Sequence, residues 1–578
     1  MRLGVWPDRG GRRAAVVVAG ALTLVAALVS GPATPTRAGT TQGAGAVPED
    51  ARSSRTASPT PPGIRAGDWP TWQQSAKGNR HNAGERRITP KTVKNLKLKW
   101  AYVFENHYGN IASQPAVVGG TLYAGGPDSR FYALDAKTGR QKWVFDLRPH
   151  AGPVAPPEGE LIEKNPVRDG PTVAGDKVYF GDSRGNLFAL NRFTGRLAWM
   201  TEVDAHPAAL LTGSPLYFDG RVYIGVSSYE YLLAGNDQYP CCTFSGKVVS
   251  VDAETGKITW TYRTMPEPKR DGTWPSGAPK YVSSGGSVWS SPAIDPVTRT
   301  LYAGSGNNYS GDRGYSDSML ALDIDTGKPR WVRQMTHPDT WTVRCLMPIP
   351  PGGSCPGLND ELKDELDYDV GSPGLFTVNG RTLVGFGQKS GIYHALDART
   401  GEIVWQTQLS VQAHNEPWRG VEWGASHDGK RIYVATWRPH PTGTLHALDP
   451  ATGAILWKNP LPENACSTGG AANPIRITPP DDPPKCVAGL NAAVSSTPGL
   501  VYEGGEDGKM RIYSAKTGKV VWTYDAVRMF QGVNGRSGPG GSISGNGGAV
   551  ISDGMLYVNA GYQMHLGIPG QVMLAFGL

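Results

Sequence analysis

Cysteine and histidine are scarce in this chain of 578 residues, at six and eleven. No C-x-x-C-H occurs, which excludes a covalently attached c-type haem, and no HExxH or other zinc signature or convincing nucleophile motif supports a hydrolase or lyase. An excess of one charge is missing too. Of the formal net charge of +7, residues 1–38 hold +4, with five arginines and one aspartate, leaving +3 for the rest. That balance gives no electrostatic footprint for nucleic acid. Apolar runs are short: Ala14 to Val29 is too brief for a stable membrane span.

That one run is informative. Arg9, Arg12 and Arg13 precede it and small residues follow to a cleavage site after Ala38, so residues 1–38 read as a signal peptide and the protein as secreted or periplasmic. The Arg12-Arg13 pair fits the twin-arginine route and the remainder fits the general secretory route equally; no cysteine stands near the cleavage site to carry a lipid anchor. Residues 39–67 are Gly, Pro, Ser, Thr and charge, a linker with almost nothing to bury. Residues 68–578 are rich in aromatic and β-branched side chains. An oxidising compartment permits disulfides, and six cysteines permit about 15 pairings. Cys345/Cys355 and Cys466/Cys486 each flank a Pro/Gly-rich loop and make natural local pairs, which leaves Cys241 and Cys242, in YPCCTF, to each other. Against that stands the strained small ring that neighbours must close, which favours distant partners.

A repeat organises the rest. YALDAKTGRQKW ends at Trp143, FALNRFTGRLAW at Trp199, VSVDAETGKITW at Trp260, LALDIDTGKPRW at Trp331, HALDARTGEIVW at Trp405, HALDPATGAILW at Trp457 and IYSAKTGKVVW at Trp522. Each reads as a strand, a tight turn with glycine at positive φ, and a second strand carrying the tryptophan. Between copies, 52 to 74 residues apart, lie further short strands such as DGRVYIGV. Four strands per repeat indicate a propeller blade. An eighth copy is split between the C-terminal QVMLAFGL and LKLKWAYVF with Trp100 near the start. The sequence therefore predicts an all-β, eight-bladed β-propeller with tryptophan-docking repeats, the N- and C-terminal strands sharing the closing blade. The repeat tryptophans are structural, and chemistry belongs to residues that break the repeat.

Those residues carry a resemblance. The segment DWPTWQQSAKGNRHN…ITPKTVKNLKLKW, the block YPCCTFSGKVVSVDAETGK, the run VNGRSGPGGSISGNGGAVISDGMLYVNAGY and the ending GIPGQVMLAF resemble the quinoprotein alcohol dehydrogenases that use pyrroloquinoline quinone (PQQ), above all the polyvinyl-alcohol-dehydrogenase-like branch. PQQ is a flat ortho-quinone with three carboxylates; it needs two flat faces, cations for its carboxylates and a Lewis acid on the reacting carbonyl. The resemblance implies Thr212 and Ser227 as hydrogen-bond donors to PQQ, Glu230 and Asn307 as calcium ligands, Trp289 as the stacking floor with Ser287 beside it, and Lys389 of GQKSG on the quinone oxygens. It implies a Cys241–Cys242 disulfide as the ceiling over the quinone, matched by role because relatives carry theirs in another blade. Arg168 of NPVRDGPTV is a candidate for a PQQ carboxylate.

Two departures matter. The family's first-blade glutamate falls on Ala112, and its catalytic aspartate, expected after a tryptophan, falls on Thr342, which is no base at neutral pH. An insertion follows Thr342, and LDYDVGSPGL then resembles the continuation, so Asp367 is the expected base and Asp369 a further metal ligand. The second acid resembles lanthanide-using members and leaves calcium or a lanthanide open. Asp339 and Glu422 are the fallback bases, and membership of Asp367 and Asp369 in an acidic surface run is the competing account. The implied activity is oxidation of a primary or secondary, even polymeric, alcohol, with electrons leaving to a separate acceptor such as a cytochrome or quinone. The alternative is a non-catalytic propeller serving as a protein-binding scaffold.

Overall fold

The computed structural model describes residues 61–578 apart from 106–110, 151–166, 312, 347–366, 411–419, 438–441, 463–464, 466–487 and 563–566. The signal peptide and most of the linker lie outside the described residues, as do Cys355, Cys466 and Cys486; Cys345 is disulfide-bonded. Eight antiparallel sheets built on four strands each form blades 1 to 8, the first seven in order along the chain. Blade 1 runs Ala116–Val118, Thr121–Gly125, Arg130–Asp135 and Gln141–Asp146. First strands of most successive blades touch one another and so line the axis.

Blade 8 takes Val550–Ser552, Met555–Ala560 and Val572–Gly577 from the end of the chain and its outermost strand, Lys97–Val103, from the beginning. Lys97 pairs with Gly577 and Val103 with Val572. The split blade read from the sequence is therefore the one that closes the ring. Its outer edge is covered by a hairpin, Met529–Gln531 with Ser537–Pro539, whose turn residue Val533 donates its N–H to Ala101 O at 2.9 Å. A covered edge presents no open row of backbone groups to other chains.

Each repeat tryptophan stitches its blade to the next. Trp143 Nε1 donates to Arg192 O (3.0 Å), Trp199 to Ala253 O (3.1 Å), Trp260 to Ile324 O (2.9 Å) and Trp331 to Ala398 O (3.1 Å). Trp405, Trp457 and Trp100 do the same to Pro450, Ala515 and Ala136, and Trp522 to Leu96, beside the short 3₁₀ turn Val93–Asn95. The Thr-Gly glycine serves this contact as well as its turn. At Gly256 φ is +75°, and a Cβ there would stand 2.7 Å from the Trp199 indole.

A segment before blade 1 runs around the axis and bonds blade after blade. Val117 of blade 1 donates its N–H to Trp69 O, Val173 of blade 2 to Pro70 O, Ile294 of blade 4 to Ala76 O and Leu375 of blade 5 to Lys77 O, all at 2.7–2.8 Å. His427 of blade 6 donates to Asn79 O and Ser496 of blade 7 to Arg80 O, and Asn82 Nδ2 reaches Ile551 O of blade 8 at 2.8 Å. This strap begins earlier than composition indicated: within the expected linker, Pro62 O already accepts from Gly175 N, and Ile64 packs on the blade 1–2 core.

Candidate active site

The residues that break the repeat gather at the axis. Trp289 precedes the first strand of blade 4 and is 9% exposed; its ring meets Trp423 edge-on at 5.2 Å, and the two form one cluster with Trp72 and Ala493. Both Trp289 Nε1 and Trp423 Nε1 are buried without a hydrogen-bond partner. The Lys389 ammonium stands over the Trp289 ring at 5.7 Å and is held between two carboxylates, Asp367 Oδ1 at 3.0 Å and Asp369 Oδ2 at 2.7 Å. Asp369 Oδ1 in turn accepts the Asn307 N–H at 2.5 Å, while Asn307 Nδ2 donates to Trp341 O at 2.8 Å. The Asn307 amide thus spends its donor on the protein, and Oδ1 is the atom left for a ligand.

Other expected residues lie around this centre. Thr212 precedes Gly213, where an added Cβ would stand 2.5 Å from Ser290 O and 3.1 Å from Trp289 O; Ser227 follows Val226, whose O accepts the Val288 N–H at 3.0 Å. Ser287 Oγ is bonded to Tyr309 Oη at 2.6 Å. Arg168 is buried with its guanidinium among Tyr229, Tyr231 and Tyr562, and its backbone O accepts from Asn546 Nδ2. Cys241 and Cys242 are joined by a disulfide, fully buried in a cluster with Phe244 and Tyr309. A hairpin holds that loop down: Trp274 Nε1 donates to Cys241 O at 3.1 Å and Tyr281 N at 3.2 Å.

Glu230 has a different setting from the one the family pattern implies. Its carboxylate accepts from Thr243 N at 2.7 Å, Phe244 N at 2.8 Å and the hydroxyls of Tyr239 and Thr243 at 3.2 Å, so it anchors the disulfide loop. Three of these bonds fall on Oε1 and one on Oε2, so Oε2 is the oxygen with acceptor capacity to spare. At the first-blade departure, Ala112 O lies near Gly547; the polar groups there come from blade 8, where Asn559 Nδ2 donates to Ser113 O. The Oδ1 atoms of Asn546 and Asn559 are buried without partners.

Sequence reasoning ranked Asp339 and Glu422 behind Asp367. The structure brings both to the same centre. The Asp339–Trp341 loop pairs with Asn308, whose N–H bonds Asp339 O at 2.9 Å, and among the described residues neither Asp339 carboxylate oxygen has a partner. Thr342 is fully buried, its Oγ1 unpartnered as well. Burial and then the neighbouring charges of Asp317, Asp369 and Asp367 push the Asp339 carboxyl far above the ordinary range. Burial, only partly offset by Lys389, raises Asp367 to about 6 and Glu422 to about 7. Burial alone would depress Lys389, but Asp367, Asp369 and Glu422 outweigh it and keep the ammonium charged.

Among the described residues no three His, Cys, Asp or Glu side chains meet at one point. The donor set that fits a hard cation is mixed: Asn307 Oδ1, Asp369 and the unpartnered Asp339, all oxygen ligands in a region with more carboxylates than lysines. The centre fits a flat polyanionic quinone on equally direct grounds, with an indole face, two unbonded indole N–H groups, one ammonium and one guanidinium converging.

Comparisons with known proteins agree with this chemistry. Residues 69–345 match the family described as PQQ, glucose/ethanol/alcohol dehydrogenase, beta-propeller domain, and residues 388–561 match that of outer membrane protein assembly factor BamB. The chain belongs to the PQQ-dependent alcohol dehydrogenases, oxidoreductases acting on CH–OH groups, which settles the choice between enzyme and scaffold. Two relatives span most of it: the polyvinylalcohol dehydrogenase of a Pseudomonas species, 32% identical over 85% of this chain and 74% of its own length, and that of Sphingopyxis sp. (strain 113P3), 30% identical over 90% and 78%. Among solved structures, the quinohemoprotein alcohol dehydrogenase of Comamonas testosteroni shares the fold, with a TM-score of 0.60 and 20% identity over 89% of this chain and 81% of its own.

Proposed function

We propose that this protein works outside the cytoplasm, oxidising a primary or secondary alcohol by hydride transfer to PQQ bound at the axis, and passes the electrons to a separate acceptor such as a cytochrome or quinone. The observation that carries the reading is Lys389, suspended over the Trp289 ring between Asp367 and Asp369. When bound, PQQ supplies the hydride acceptor and a calcium or lanthanide ion the Lewis acid on its reacting carbonyl.

The chain's own residues do the rest. Trp289 offers one flat face and the Cys241–Cys242 disulfide is the candidate for the other. Lys389 would donate to the quinone oxygens and stabilise the charge that builds there, and Arg168 would hold a carboxylate. Thr212, Ser227 and Ser287 supply neutral donors. Asn307, Asp369 and Glu230, with Asp339 beside them, would hold the cation through oxygen ligands. Asp367 takes the alcohol proton at Oδ2, the oxygen not bonded to Lys389. Its pKa of about 6 leaves it ionised at neutral pH yet basic enough to accept a proton.

Because two relatives matched over 85% and 90% of this chain are polyvinylalcohol dehydrogenases, a polymeric secondary alcohol is the first substrate to try. The test is dye reduction by the purified mature protein over polyvinyl alcohol and a panel of small alcohols, with and without PQQ plus calcium or a lanthanide. Turnover that needs both additions is expected. Silence across the panel, together with no retention of PQQ on dialysis, overturns the proposal.

A further inference from the structure

The strap Trp69–Asn82 contributes no residue to the site just described, yet two of its side chains end against it. Trp72 shares one packed cluster with Trp289, Trp423 and Ala493. Its Nε1 donates to Asn546 O, and Asn546 Nδ2 donates onward to Arg168 O. One indole therefore touches the neighbourhood of the stacking floor with its ring and that of the guanidinium through one intervening residue. The next residue, Gln73, donates from Nε2 to Ser291 O and Pro292 O, both at 2.7 Å, two and three residues after Trp289 in the chain.

Room is kept for this arrangement. A Cβ on Gly170, two residues from Arg168, would stand 3.0 Å from Trp72 Cδ1, and one on Gly424, next to Trp423, 2.9 Å from its Cη2. Beneath, the Arg80 guanidinium lies 4.4 Å from the Trp72 ring and bonds the Trp72 carbonyl, which also accepts from Gln114 Nε2 at 3.0 Å. Trp72 is fixed on its far side by blades 1 and 7 and bears on blades 2, 4 and 6 with the near side.

We infer that Trp72 and Gln73 are positioning residues for the cofactor: they fix Trp289 and Arg168 relative to each other, so PQQ affinity depends on a segment that does not touch PQQ. The inference rests on the PQQ site proposed above. A bound planar ring is held only as firmly as the face beneath it, and supporting shells left loose cost binding. The strap bonds nearly every blade, so it holds blade 2 and blade 4 groups in one frame, alongside Ser214, whose Oγ accepts from Gly170 N and whose N–H donates to Ser291 Oγ.

The experiment measures PQQ retention by equilibrium dialysis in calcium, read by quinone absorbance, beside thermal unfolding, for wild type, Trp72→Leu, Trp72→Phe, Gln73→Leu and Asn82→Ala. Trp72→Leu is expected to weaken PQQ binding by roughly tenfold, and Trp72→Phe and Gln73→Leu by about threefold each. Asn82→Ala loses a strap bond to blade 8 far from the floor; it should lower the melting temperature and leave PQQ affinity unchanged. Phenylalanine keeps a ring in the cluster while losing the Asn546 bond, so it reads the linkage even where leucine fails to fold. Wild-type affinity in Trp72→Phe and Gln73→Leu, or equal weakening in Asn82→Ala, overturns the inference. A wild type that retains no PQQ instead overturns the site on which it depends.

Discussion

Tryptophan is used in two ways in this molecule. At the rim, all eight repeat indoles donate to a carbonyl of the neighbouring blade, or of the turn that replaces it. At the axis, Trp289 and Trp423 are as deeply buried as several rim indoles, yet among the described residues their N–H groups have no partner. A buried donor left unpaired costs about 1–3 kcal/mol, so native chains keep such groups where something else satisfies them. The same residue is mortar at the rim and, as Trp289 and Trp423, lining at the axis, where their cluster neighbour Trp72 does spend its N–H, on Asn546 O.

The largest effect that sharpens this contrast concerns the lining. Asp367→Asn should lower alcohol-dependent dye reduction by roughly 10²- to 10⁴-fold while leaving PQQ retention on dialysis intact. Loss of retention along with activity would make Asp367 a binding group and not the base. Next comes a crossed pair. Trp260→Ala at the rim should cost about 3–5 kcal/mol in denaturant unfolding. Trp289→Phe at the axis should cost about 1 kcal/mol or less yet weaken PQQ binding. Equal stability losses would erase the distinction between mortar and lining.

Gly256→Ala should cost about 1–3 kcal/mol, because a left-handed backbone and the Trp199 indole both resist a Cβ. The smallest effect is a pH dependence of opposite sign in two places. His427 and His446, neutral and pushed down to about 4 by burial, bind protons more readily when unfolded, so the blades lose stability as pH falls from about 6.5 toward 4. Asp367 and Glu422, raised to about 6 and about 7, bind protons more readily when folded, so the apo site gains stability as pH falls through that range. A cation and PQQ held by ionised groups forgo that gain. The melting-temperature difference between loaded and apo protein should therefore be widest near pH 8 and narrow toward pH 5 in paired calorimetric scans.

The repeat made the architecture readable because one short pattern encodes a strand pair, a turn and an inter-blade bond at once, and the split copy around Trp100 located the closure. Lys389, Asp367, Asp369, Asn307 and Trp289 were readable as an ordered set and do converge. What stayed hidden depends on contacts between distant segments. Nothing near Glu230 in sequence reveals that Thr243 and Phe244 will occupy its carboxylate, and nothing in DWPTWQQ reveals where Trp72 points. One signal was available: eight of 17 tryptophans belong to the repeat, and the others, Trp72 and Trp423 among them, fall where the pattern stops.

The split blade also governs how the chain reaches this state. Lys97–Val103 precedes blades 1 to 7 in the chain, but its partner Val572–Gly577 follows all seven. Seven blades can assemble locally while the eighth waits for a pairing that spans almost the whole polypeptide. High sequence separation slows such a step, so ring closure should be the final and rate-limiting event of folding.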